Sequence, residues 1–458
     1  MRPEARRTAT RLGSLCAGLL LALPAAQAMD FATAVRKAAS YDPTTQAAHY
    51  AWQAGQEKGK QGTALYFPQI TANASYTHLD LNSSSTLPPQ FPNSVLVGNA
   101  SGNLHGWGVT LVQPIYNSAV FVGAAQLKDQ ARLADLQKQG ADMNLILRVA
   151  QVYFGTLMAE DNVELAGKQK AAVAQQLASA KGRFEAGKIN IVDVRDAEAR
   201  YEGMVAQEIA ARNALAVQQE QFTSIVGAPP ESLARVPDSF RPTPPVPDAL
   251  DSWLERGRSD NVSVNGARIQ VDVSKHEIDK YRLRGRPQLN LVASYTDTQQ
   301  DGSLPILVSP DKSRQAIVGV QLALPLFAGG SYNSKYREAV AENSEAEQQL
   351  QATLLGTDVQ VKQQYLNVSV GVEQIEALKK AERAAQSSLD ATLLGQKVGT
   401  RTTLDVLNAQ QQYFAAQQNL DAARYQYLLS RLSLNALVNA LDQADVTAIN
   451  ALLVEPTP

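Results

Sequence analysis

Ile70-Thr71-Ala72-Asn73-Ala74-Ser75-Tyr76 alternates apolar and polar residues without a slip, and Leu289-Asn290-Leu291-Val292-Ala293-Ser294-Tyr295 nearly repeats it. Period-two alternation marks a strand with one apolar and one polar face. Each stretch is followed by a second, with Trp107, Val109 and Leu111 on one face and Val318, Val320 and Leu322 at the matching positions. The pattern predicts strands over about 66–77, 106–116, 287–297 and 315–326, bracketed by Pro68, Pro114, Pro287 and Pro325, where a missing N–H costs least. Two readings stay open: a hairpin packed on a soluble core, or wall segments of a transmembrane β-barrel, apolar outside and polar inside. In the second, Tyr66, Phe67, Tyr116 and Phe327 form one aromatic rim, and Tyr76, Trp107 and Tyr295 the other. Four strands cannot close a membrane barrel, which needs about eight, and lipid tolerates no open edge. Two copies would give eight strands and three would give twelve. The strand connections, His78 to His105 and Asp297 to Arg314, are rich in Ser, Asn, Gly and Pro and read as exposed outer loops.

Outside the strands, the prolines show the organisation. None lies between Ile115 and Ala228, and none between Leu326 and Glu455. Proline costs a helix interior about 3 kcal/mol, and both spans are crowded with Ala, Gln, Leu, Glu and Lys. They predict long helix pairs over about 118–226 and 331–440. At 1.5 Å per residue, the first helix from Ser118 to Ala186 would extend about 100 Å. Shifting the chain by 212 residues sets Tyr153 on Tyr365, Gly187 on Gly399, Asp193 on Asp405 and Tyr201 on Tyr413. The chain therefore reads as a tandem duplication: a first repeat over 29–227, a proline-rich linker or extended wrap over 228–248, a second repeat over 249–441 and a tail over 442–458. A seam of 3,4 spacing runs from Val406 through Tyr413, Leu420 and Tyr427 to Leu441; its counterpart from Val194 to Ile225 is broken by Glu208 and Gln218. Such seams indicate coiled-coil packing, which a filament or stalk would show as well.

The remaining composition narrows the class. Of 458 residues 45% are hydrophobic and 19% charged, with a net charge of -2 and one cysteine, which excludes a disordered tail, a disulfide-stapled domain or a basic nucleic-acid binder. Residues 1–28 read as a signal peptide: Arg2, Arg6, Arg7 and Arg11, an apolar run from Leu12 to Leu23, then Ala26-Gln27-Ala28 before Met29. Cys16 lies inside it without a lipobox, so a lipid anchor is not expected. No later stretch is apolar for long enough to form a membrane helix. Gly182 to Lys188 misses a phosphate loop because Ile189 replaces Ser or Thr, and His49, His78, His105 and His276 are scattered. No enzyme activity, metal or cofactor is expected.

Two turns join the long helices. Gly187 and Gly399 suit the left-handed residue that ends a helix, Asn190 and Thr402 suit the next N-cap, and Asp193 and Asp405 fall at the third position, where a carboxylate meets the positive helix end. The duplicated strand-strand-long-helix pattern, Tyr41-Asp42-Pro43, and Val398-Gly399-Thr400-Arg401-Thr402-Thr403-Leu404-Asp405-Val406-Leu407-Asn408-Ala409-Gln410 closely resemble the TolC family of outer-membrane channel proteins. The resemblance covers essentially everything after residue 28. It implies a mainly α protein whose four strands join a shared 12-stranded barrel in a homotrimer, continuing into a long α-helical barrel in the periplasm of a Gram-negative cell. The implied function is the exit duct of a tripartite export machine for multidrug efflux, type I protein secretion or both. Outer-membrane lipid would surround the barrel, and a periplasmic adaptor and an inner-membrane transporter of RND, MFS or ABC type would dock at the tips around Gly187, Asn190, Gly399 and Thr402. Carried over by position, Asp405 matches a ring aspartate, Arg401 a bridging arginine and Asp193 its carboxylate partner. Asn408 and Gln396 depart from the family's second ring aspartate and gate tyrosine, which predicts weaker cation preference and divalent block. A non-conducting trimeric stalk or adhesin is the alternative; an adaptor would need lipoyl-like β segments that the chain lacks.

Overall fold

The computed structural model describes residues 29–82, 99–282, 287–303 and 311–454. The signal-peptide segment, much of the two strand connections and the end of the tail lie outside the described residues. Asp30 caps α1 (Phe31–Tyr41) by accepting from the Thr33 amide at 2.8 Å. Asp42 caps α2 (Pro43–Ala64) in the same way, with Pro43 in the first turn, where no N–H is missed. Asp42 is buried and also receives Arg148 of the first long helix at 3.1 and 2.5 Å, which holds its carboxyl well down, at about 2.

Strands β1 (Gln69–Leu81) and β2 (Ala100–Tyr116) follow, then α3 (Ser118–Glu185) and α4 (Ile191–Val226). The second repeat gives the same order: α5 (Leu250–Asp260), α6 (Val262–Arg282), β3 (Gln288–Gly302), β4 (Lys312–Ala323), α7 (Ser331–Lys397) and α8 (Thr403–Leu437). A last helix, α9 (Gln443–Asn450), lies in what the sequence showed only as a tail. With 68 residues, α3 runs about 100 Å, and α7 with 67 matches it.

The strands form one antiparallel sheet in the order β1-β2-β3-β4, the two repeats meeting at β2 and β3. The register pairs Ile70 with Leu111, Ala74 with Trp107, Tyr295 with Val109 and Val320 with Leu291, so these residues share one face, while Leu104, Val112, Val292 and Ile317 fall on the other among its polar residues. The first face is unpartnered: Ile70, Tyr76, Trp107, Val318 and Leu322 are exposed. The sheet has no soluble core beneath it, which removes the packed-hairpin reading. The strands also run past their sequence signal. Beyond the row of Tyr76, Trp107 and Tyr295 the same face turns charged, with Arg314 donating to Asp297 at 3.0 Å, so hydropathy stops alternating while the ladder continues.

The core lies halfway along the long helices. Tyr153, Phe154 and Leu157 of α3 pack there with Phe31 of α1, Phe222 of α4, Trp253 of α5, Leu428 of α8 and Val446 of α9. The linker wraps this waist in extended form. Met29 pairs with Leu233 and Arg235 with Val454, while the Tyr153 hydroxyl sits 3.0 Å from the carbonyls of both Met29 and Ala234. Tyr427 donates to the Thr243 carbonyl at 2.6 Å, Arg424 to Asp238 at 3.1 Å, and Arg235 to Asp161 at 3.0 Å. Below the waist the heptad seams hold. Val406, Ala409, Leu420 and Tyr427 are buried, and Glu208, read as a break in the first seam, is buried with Lys170 of α3 and Arg212 as ion partners.

Candidate functional site

The two hairpin tips lie at the ends of the coiled coils farthest from the sheet. At the first, α3 ends at Gly187 with φ +69, and the Lys188 amide donates to Arg183 O at 2.8 Å, the left-handed closure expected of glycine there. Asn190 takes the N-cap position of α4, but its side chain accepts no capping bond. The expected cap is met in backbone conformation alone.

At the second tip, α7 ends at Gly399 with φ +84, and the amides of Thr400 and Arg401 both donate to Gly395 O, at 2.9 and 3.2 Å. Here the capping box closes: the Asp405 amide donates to Thr402 Oγ1 at 3.1 Å, and the Thr402 amide and hydroxyl donate to Asp405 Oδ2 at 2.8 and 2.9 Å. The Thr402 amide, its hydroxyl and the positive charge of Arg401 hold the Asp405 carboxyl below the ordinary carboxylate range.

The structure does not bring all the expected residues together. Within one chain, among the described residues, Arg401 forms no ion pair with Asp193. The contacts between the two hairpins join Gln396 and Asn408, which the sequence singled out, to Gln176 and Arg200, which it did not. Gln396 of α7 donates to Gln176 Oε1 of α3 at 3.1 Å and to Thr403 Oγ1 at 3.4 Å, and Arg200 of α4 donates to Asn408 Oδ1 of α8 at 2.9 Å. Higher up, Gln418 of α8 bonds Asn162 of α3 at 2.9 Å, and Tyr425 bonds Asp161 at 2.6 Å. The apolar packing here is thin: Val173, Ala180, Val194, Ala197 and Leu407 form a small cluster of mostly short side chains. The tip surface exposes Phe184, Ile191, Val192, Val398 and Leu404 among charged residues that include Glu185, Lys188, Lys397 and Arg401.

At the sheet, the ring of Trp107 lies 5.4 Å from that of Tyr295, and Tyr76 shares their face two strands along. At the opposite strand ends Tyr66 stacks on Phe121 with Lys128 over its ring, Tyr116 meets Phe121 edge-on, and Phe67 and Phe327 are exposed. Phe121, one turn into α3, is a member of this group that alternation could not reveal.

The pattern of the outer membrane efflux protein family matches residues 34–228 and 253–440, one block per repeat. The chain belongs to that family. It is 32% identical over 384 residues to outer membrane protein TolC of Vibrio cholerae, covering 84% of each chain. It is 28% identical to the alkaline protease secretion protein AprF of Pseudomonas aeruginosa, over 95% of this chain and 90% of that one. Its fold is that of the Campylobacter jejuni CmeC outer membrane channel, with TM-score 0.75 at 14% identity, covering 92% of this chain and 89% of that one. The protein is an outer-membrane efflux duct with a helical extension into the periplasm. Among the described residues no helix is long and apolar enough to cross a membrane.

Proposed function

We propose that three copies assemble so that their sheets close a 12-stranded barrel, with the helices forming a tunnel gated at the two tips and docked there to a periplasmic adaptor and an inner-membrane transporter. The observation that carries this reading is the sheet: it is apolar on one exposed face and unpaired at β1 and β4 within the chain, a combination that lipid tolerates only when the edges pair with other copies. Tyr66, Phe67, Tyr116 and Phe327 mark the periplasmic rim of the belt, and Tyr76, Trp107 and Tyr295 the outer rim. Asp405, with Asn408 one turn on, narrows the pore at the tips. Gln396 and Asn408 tie the second hairpin to the first, and Arg401 and Asp193 meet only between neighbouring copies. The tip surface around Gly187, Asn190, Gly399 and Thr402 receives the adaptor or pump. The name of the protease secretion relative supports polypeptide cargo, and the family's description supports efflux.

Single-channel conductance of the detergent-purified protein in planar bilayers tests the reading. Small, cation-preferring currents are expected, larger in Arg401→Ala and less selective in Asp405→Ala. A folded, membrane-inserted trimer that stays silent in all three forms would leave the non-conducting stalk in its place.

A further inference from the structure

The sheet sorts its charges by face. On the face opposite the aromatic rows, Asn73, Ser75, Thr110, Ser294, Thr296 and Gln315 stand among a few apolar residues, Leu104, Val112, Val292 and Ile317, and no residue on that face is Asp, Glu, Lys or Arg among the described residues of the four strands. The strands are not simply poor in charge. Asp80, Asp297, Asp301, Lys312 and Arg314 all belong to them, and the register sets every one on the aromatic-bearing face, past Tyr76, Trp107 and Tyr295.

A pore wall carrying one sign of charge between low-dielectric walls focuses its field and raises the local concentration of the opposite ion by about tenfold or more. Hydroxyls and amides offer both donors and acceptors without such a field. We infer that the barrel section is a charge-indifferent outlet, which passes cationic, anionic and neutral hydrophilic cargo alike, so that any electrostatic sorting takes place in the helical section before the cargo reaches it. The inference rests on the duct reading, in which this polar face lines the lumen. It specifies the cargo class for that section: hydrophilic molecules or extended polypeptides irrespective of net charge.

The test is thiol labelling of the assembled protein in membranes, in a Cys16→Ser background so that the introduced cysteine stands alone. Ser75→Cys is exposed to a cationic trimethylammonium methanethiosulfonate and to an anionic sulfonate methanethiosulfonate, each rate being divided by the reagent's rate with a free thiol. The two corrected rates should agree within about threefold, whereas Ala74→Cys, on the lipid side, should react at least about tenfold more slowly with both. Thr298→Lys, in register with Ser75 across Gly106, should shift the ratio toward the anionic reagent by about tenfold. An unchanged ratio in that variant, or a native preference of about tenfold or more for either reagent, overturns the inference. Rapid labelling of Ala74→Cys with protection of Ser75→Cys overturns the duct reading itself, a distinct outcome that needs no current to be seen.

Discussion

The two hairpin tips descend from one duplicated turn, yet only one of them locks. Thr402 and Asp405 exchange three hydrogen bonds at the start of α8, whereas Asn190 and Asp193 hold the same positions at the start of α4 with no side-chain cap. The carboxylate matters in both through the helix dipole, but only the threonine reaches back to fix it. Asp405 is thereby fixed at its helix terminus, while Asp193 receives no such bond from Asn190. Duplication supplied two equivalent turns, and divergence at the cap residue made one a fixed element and left the other uncapped.

The comparison can be broken most forcefully at the bonds between hairpins. Arg200→Ala combined with Gln396→Ala removes the Asn408 and Gln176 contacts and should raise single-channel conductance several-fold; unchanged conductance in a folded trimer would deny these bonds any part in holding the tips together. Asp405→Asn should abolish most of the cation preference read from reversal potentials, with Asp193→Asn changing it little. Equal losses in the two variants would make the two tips electrostatically equivalent.

A pH titration contrasts the second tip with the waist. The Asp405 carboxyl is held down, so cation preference should persist as the pH falls to about its ordinary value near 3.8 and fade only below it. At the waist, burial pushes Asp421 up to about 6, against the opposing pull of Arg424. A raised carboxyl binds its proton more tightly folded than unfolded. Its contribution to stability is fully present below 3.8 and is lost as pH rises through about 6. Thermal unfolding followed between pH 4 and 7 should show a downward step in stability near 6 that Asp421→Asn removes. The smallest effects concern the caps: Thr402→Ala should cost about 1 kcal/mol of local stability by hydrogen exchange at the α8 terminus, and Asn190→Ala only a few tenths. Asn190→Thr, which offers Asp193 the missing partner, should gain about as much as Thr402→Ala loses.

How much of this was legible follows from the range of each interaction. The long helices, the duplication and the core of each strand are written in local periodicity and in where proline is absent, so the sequence displays them. The glycine closures at Gly187 and Gly399 are equally local. Gln176 and Arg200 were invisible because their partners lie 220 and 208 residues away, and neither residue type carries a motif. The strand ends were hidden by a change of surroundings: past Tyr76 and Tyr295 the outward face is charged, so alternation fails where backbone pairing does not. Helix α9 and the route of the linker are decided by the aromatic waist, which no short window contains. Asn190 misled because an N-cap propensity names a residue type and not the rotamer that must reach the amide.

In each repeat one helix, α3 or α7, runs unbroken from the sheet to the tip, but its partners are shorter: α2 with 22 residues beside the upper part of α3 and α4 with 36 beside the lower, with α6 and α8 doing the same for α7. Of these shorter helices, α4 and α8 end at the aromatic waist, whereas α2 and α6 lead on into β1 and β3. A rotation at the tips would therefore reach the sheet through α3 and α7 alone, because α4 and α8 stop at the waist, where the buried aromatic rings clamp them to the long helices.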